Sequence, residues 1–77
     1  MMRIERLVTM ANDIATYFTV EPDHAAAVIS VRDHLKRFWD PAMRRQLKAY
    51  VEEGGDGLIP LAQEAVIGLE LPTVEVR

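Results

Sequence analysis

Apolar residues recur at a helical spacing from the start of the chain. Ile4, Leu7, Val8, Ala11, Ile14, Ala15 and Phe18 repeat at intervals of three, four and seven, with Arg3, Arg6, Asn12, Asp13 and Thr16 outside the stripe. A half-buried strand would need a period of two, which is absent. The spacing predicts a first helix from about Met2 to Phe18. Thr19-Val20-Glu21-Pro22-Asp23 then reads as a break and restart. Pro22 suits the first turn of a new helix, because its missing N–H would be unpaired there in any case. Glu21 and Asp23 bring negative charge to the positive end of that helix. The second helix is expected from about Pro22 to Trp39, with Ala25, Val28, Val31, Leu35 and Trp39 on one face and Phe38 on its flank. Asp33 and Arg37 lie opposite, four apart and acid first, the favourable order for a weak surface pair.

Asp40-Pro41 is the sharpest punctuation in the chain. Proline pushes the preceding residue out of the α region, so Asp40 is placed as an N-cap and Pro41 as the first helical residue. The second helix therefore ends at Trp39, the third starts at once, and the two must meet at a fixed corner. Met43, Leu47, Tyr50 and Val51 share a face of the third helix, which Gly54-Gly55 ends. After the loop Gly54-Gly55-Asp56-Gly57, a short fourth helix carries Leu58, Leu61, Ala62, Ala65, Val66 and Leu69 in register, with Pro60 in its first turn. Leu71-Pro72 stops it, and Thr73-Val74-Glu75-Val76-Arg77 alternates like a short strand or extended tail. The expected fold class is all-α: a small bundle of three to four short helices with an extended C-terminal tail, one helical domain over residues 1–70 and the tail over 71–77.

Composition narrows the function. A chain of 77 residues makes one small domain whose core is thin. It has no cysteine, which excludes disulfides, thiolate metal sites and cysteine catalysis, and two histidines cannot build a metal centre alone. Apolar residues make up 49% and charged residues 27%, a globular balance. The net charge of −3 disfavours a dedicated nucleic-acid binder. No apolar run approaches the ~20 residues of a membrane span, and the N-terminus lacks the pattern of a signal peptide, so a cytoplasmic location is expected.

Catalysis has little to work with. The lone serine, Ser30, has no histidine at a nucleophile-plus-base spacing. Asp23-His24 and Asp33-His34 repeat an acid–histidine pair ten residues apart on one helix. That separation is about 15 Å of rise with a rotation of roughly 80°, so the pairs cannot share a metal within the helix. They read as a capping histidine and a rim histidine. Gly54-Gly55-Asp56-Gly57 lacks the Gly-Lys-Ser/Thr of a phosphate-binding loop and the preceding strand of a dinucleotide fingerprint, and reads as a turn with one helix cap.

Charge is unevenly spread. Residues 32–48 hold six bases (Arg32, Lys36, Arg37, Arg44, Arg45, Lys48) against two acids, whereas residues 49–77 hold six acids and one base. Solvated faces explain much of this, and a basic surface for an acidic partner patch is the functional alternative. A small helical DNA-binding regulator is a further alternative, but the turn at the corner is too short for a helix–turn–helix, and Gln46 is the one further polar base-reader beside Arg44, Arg45 and Lys48. Phe38-Trp39, beside Arg37 and Arg44, is the most informative spot, because large aromatics with arginine are enriched at binding hot spots. Both rings can complete the core. Adjacent side chains on a helix also point about 100° apart, so one ring can face inward and the other outward. Tyr17, Phe18 or Phe38 would then form an exposed apolar patch.

Three segments carry a resemblance. Leu7-Val8-Thr9-Met10-Ala11-Asn12-Asp13-Ile14-Ala15, His34-Leu35-Lys36-Arg37-Phe38-Trp39-Asp40-Pro41-Ala42-Met43-Arg44, and Gly54-Gly55-Asp56-Gly57-Leu58 with Pro60-Leu61 resemble the small delta subunit of NAD-dependent formate dehydrogenase, over roughly residues 4–69. The Phe-Trp-Asp-Pro-x-Met-Arg string is the most specific of these. Ile59 departs from the polar residue that the family usually has before the proline, which weakens the N-cap of the fourth helix. The resemblance implies a non-catalytic accessory subunit of a cytoplasmic oxidoreductase complex. Its molybdenum or tungsten pterin, iron–sulfur clusters and flavin sit in larger subunits, and this chain itself holds no cofactor. The implied partner is the catalytic alpha subunit, with a role in assembly, cofactor insertion or stability. Arg37, Phe38, Trp39, Asp40 and Arg44 are the residues expected at the partner contact, Asp40 also as a cap. Self-association of the isolated chain to a homodimer is expected if the apolar stripes exceed what one core can hide, with Trp39 or Phe18 inside.

Overall fold

A computed structural model describes residues 3–69 as four helices: α1 (Ile4–Phe18), α2 (His24–Phe38), α3 (Pro41–Glu52) and α4 (Pro60–Ile67). No strand occurs among the described residues, and the fold is all-α. Met1, Met2 and the tail expected over 71–77 lie outside the described residues.

The helix starts follow from their caps. The Asp23 carboxylate accepts from Ala25 N at 3.1 Å, so α2 begins at His24, two residues after Pro22. The cap supplied by Asp23 outweighs the preference of proline for the first turn, which corrects the start expected at Pro22. Asp40 caps α3 as its sequence position implies: its carboxylate accepts from Met43 N at 2.9 Å and Pro41 is the first helical residue. The end of α3 is a Schellman turn, in which Gly54 N donates to Val51 O at 2.9 Å and Gly55 N to Tyr50 O at 3.1 Å. Gly54, at φ +126°, supplies the conformation that a side chain would resist. Helix α4 has no side-chain cap at Ile59, as the apolar residue there implies. Leu58 and Leu69 flank α4 rather than belonging to it, yet both are buried.

The stripes meet in one core. Leu7, Ala11, Ala15, Val31, Leu35, Leu47, Ala62, Ala65, Val66 and Leu69 are fully buried. Ala27, not Ala25, completes the α2 face, because that face must serve α1 and α4 at once. Helices α1 and α4 each pack on all three others, whereas α2 and α3 pack on α1 and α4 more than on each other. The core therefore sits along α1 and α4, with the α2–α3 corner wrapped around them.

Candidate partner-binding site

The corner divides its two aromatic residues between core and solvent. Trp39 is the C-cap of α2, its φ and ψ already extended, and its ring is buried at 6% exposure in the common core. Phe38, one residue earlier, is 70% exposed. The chain leaves the helix between them, so the angular offset of neighbouring residues becomes an inside–outside division.

Phe38 is not isolated. Its ring lies 4.7 Å from His34, one helical turn earlier on α2. His34 faces Phe18 at 6.5 Å, and Phe18 meets Tyr17 edge-on at 5.0 Å. The four rings form a row across the α1–α2 junction. Phe18 is partly buried against the core, and Tyr17, at 73% exposure, stands outside it. A groove of about 480 Å³ lined by Asp13, Ile14, Tyr17, Phe18 and His34 runs along one side of the row. A neighbouring depression is lined by Phe18, Ser30, Asp33, His34, Arg37 and Phe38. The place of His34 in this row was not apparent from the sequence, although its i, i+4 spacing to Phe38 is the signal that could have found it.

The other residues of the corner have structural tasks. Arg37 lies 3.6 Å from Asp33 across one turn, an exposed pair of little stabilising worth. The Arg44 Nη1 donates to Lys36 O at 2.7 Å and so ties α3 back to the last turn of α2. Its Nε is buried without a hydrogen-bond partner among the described residues. Asp40 is engaged as the α3 cap. Phe38 and Arg37 thus face outward, Trp39 is buried in the core, and Asp40 and Arg44 tie the start of α3 to the end of α2.

The basic segment is partly consumed inside the fold. Arg32 Nε donates to Ala65 O at 3.2 Å, and Lys48 Nζ donates to Ile67 O at 3.0 Å and Leu69 O at 2.5 Å. Two helices thereby supply cations to the carbonyl end of α4, where the helix dipole favours positive charge. With Arg44 also engaged, Lys36, Arg37 and Arg45 are left as the outward bases of the six, too few for the phosphate-tracking surface of a DNA reader.

The glycine loop is clamped rather than open. Asn12 reaches it from α1, donating through Nδ2 to Gly57 O at 2.9 Å and accepting from Ile59 N at 2.9 Å. The Tyr50 hydroxyl donates to Asp56 O at 2.6 Å. The N–H groups of Gly54, Gly55 and Leu58, which an anion would need as donors, are already paired with the carbonyls of Val51, Tyr50 and Gly55. His24, read as a capping residue, instead bridges α2 and α4 through Glu64 at 2.7 Å, while Asp23 does the capping. Among the described residues, no three His, Asp or Glu side chains gather where they could hold a metal ion, and no helix is long and apolar enough to cross a membrane.

Residues 6–66 match the family described as NADH-dependant formate dehydrogenase delta subunit FdsD. The chain belongs to that family. The match contains the Asn12 clamp, the aromatic row, the α2–α3 corner and the glycine loop, so the delta-subunit pattern coincides with the parts of the fold that hold it together and the face it leaves bare. No curated protein and no solved structure matches the chain.

Proposed function

We propose that this chain is the delta subunit of a cytoplasmic NAD-dependent formate dehydrogenase, that it binds the catalytic alpha subunit, and that it supports assembly, cofactor insertion or stability without chemistry of its own. Membership of the delta-subunit family supports the complex. The observation that carries a binding role is the exposed row of Tyr17, Phe18, His34 and Phe38 across the α1–α2 junction. A thin-cored chain gains little by leaving two large rings in water, whereas aromatic surface beside an arginine is what a binding hot spot requires. Arg37 and Phe38 make the direct contact in this reading. Trp39, Asp40 and Arg44 hold the corner in the shape that presents them.

The mechanism is binding energy alone. A partner that binds the folded chain stabilises it by mass action, and the chain in turn favours whichever conformation of the partner it fits. The test is affinity purification of the tagged chain from formate-grown cells. Recovery of the alpha subunit is expected, and recovery of Phe38→Ala complexes should fall sharply. Absence of any large formate dehydrogenase subunit from the wild-type eluate would refute the proposal.

A further inference from the structure

The aromatic groove is electrostatically lopsided. Asp13 lines one end, beside Tyr17, Phe18 and His34, and has no ion-pair partner among the described residues. Asp33 lines the neighbouring depression, beside Phe18, His34 and Phe38. Its one ion-pair partner among the described residues, Arg37, stands 3.6 Å away with both side chains largely in water, a contact that an incoming group can replace at little cost. Between the two carboxylates run the faces and edges of four rings, whose π surfaces carry negative charge.

We propose that this groove receives a cationic side chain, an arginine, presented by an apolar segment of the catalytic alpha subunit. The inference rests on the delta-subunit reading above. An arginine suits both halves of the groove, since its planar guanidinium stacks on aromatic rings while its N–H fork reaches a carboxylate. The other occupants fit less well. A purely apolar segment would cover Asp13 without pairing it, and a buried unpaired carboxylate is costly. An acidic segment would face Asp13 and Asp33 together. A second copy docking groove to groove about a two-fold axis would set two such carboxylate pairs against each other with one arginine from each side to compensate.

The experiment measures binding of the full-length purified chain to formate dehydrogenase prepared from cells lacking it, across a series of salt concentrations. Asp13→Asn should weaken binding about five-fold and flatten the salt dependence, and Asp13→Lys should weaken it about fifty-fold or more, in line with loss and then reversal of a desolvated charge contact. Glu52→Gln, on the exposed side of α3, should bind as wild type. Asp33→Asn, in the neighbouring depression, should weaken binding in the same direction and is measured in parallel so that the test stands should one variant lose its fold. Wild-type binding with the Asp13 variants within about two-fold of it would overturn the groove proposal and leave the delta-subunit reading intact. Tighter binding by Asp13→Lys would overturn it in favour of an acidic occupant. A wild-type chain that sediments as a dimer, made monomeric by Asp13→Lys, would assign the groove to a second copy. Failure of the wild-type chain to bind the enzyme at all would instead refute the delta-subunit reading.

Discussion

Two regions of this small fold use the same kinds of side chain to opposite ends. Around α4 and the loop before it, polar groups turn inward onto backbone: Asn12 holds Gly57 and Ile59, Tyr50 holds Asp56, and Arg32 and Lys48 hold the last carbonyls of α4. On the α1–α2 face, a tyrosine, a histidine and two phenylalanines form a row of ring contacts that only Phe18 continues into the core, with an aspartate beside them that has no ion-pair partner among the described residues. Tyr50 and Tyr17 show the difference in one residue type, since the first spends its hydroxyl on a loop carbonyl and the second stands in water. Polar and aromatic side chains stabilise a chain this short when they satisfy its own backbone. Where they do not, as at Tyr17 and Phe38, the side chains are left to solvent.

The comparison can be broken by substitution. Trp39→Ala should have the largest effect on the fold, because the ring is buried at the corner where α2 ends. A cost of about 3–5 kcal/mol is expected, enough to unfold much of the population, read by thermal or urea denaturation. A melt unchanged from wild type would show that the corner does not depend on the ring. Asn12→Ala should cost about 1–3 kcal/mol, because it leaves the part-buried Ile59 N–H and the Gly57 carbonyl without their partner. Its loss should also appear as faster amide exchange at Ile59. Phe38→Ala should change stability by no more than about 0.5 kcal/mol, since most of its ring is already in water, while it abolishes or greatly reduces alpha-subunit recovery. Equal losses of stability in Phe38→Ala and Trp39→Ala would erase the distinction between the two faces.

The fold was legible where the pattern repeats within one element. The stripes of α1 and α4 were read in register, and the corner was readable because Asp40-Pro41 concentrates a cap and a helix start in two residues. The start of α2 was misplaced because two signals competed there, a proline suited to the first turn and an aspartate suited to the cap. Ala25 and Ala27 could not be ranked without knowing that α2 faces two helices. The long-range polar contacts were out of reach for a different reason. Arg32 meets Ala65 and Asn12 meets Ile59 across 33 and 47 residues, and a single sequence carries no local mark of such meetings. Three cations that looked like a surface patch are therefore internal fittings. The division between Phe38 and Trp39 was anticipated in kind, but which ring would face inward depended on where α2 stopped.

The anchoring of α4 has a further consequence for how the molecule opens. Its carbonyl end is gripped by Arg32 from α2 and Lys48 from α3, and its opening turn is gripped by Asn12 from α1. An eight-residue helix would ordinarily fray early, yet here each end is tethered to separate parts of the chain. Its amides should be among the slowest to exchange deuterium, opening only in the global unfolding event. The shortest helix would then be the one that makes the whole chain a single cooperative unit.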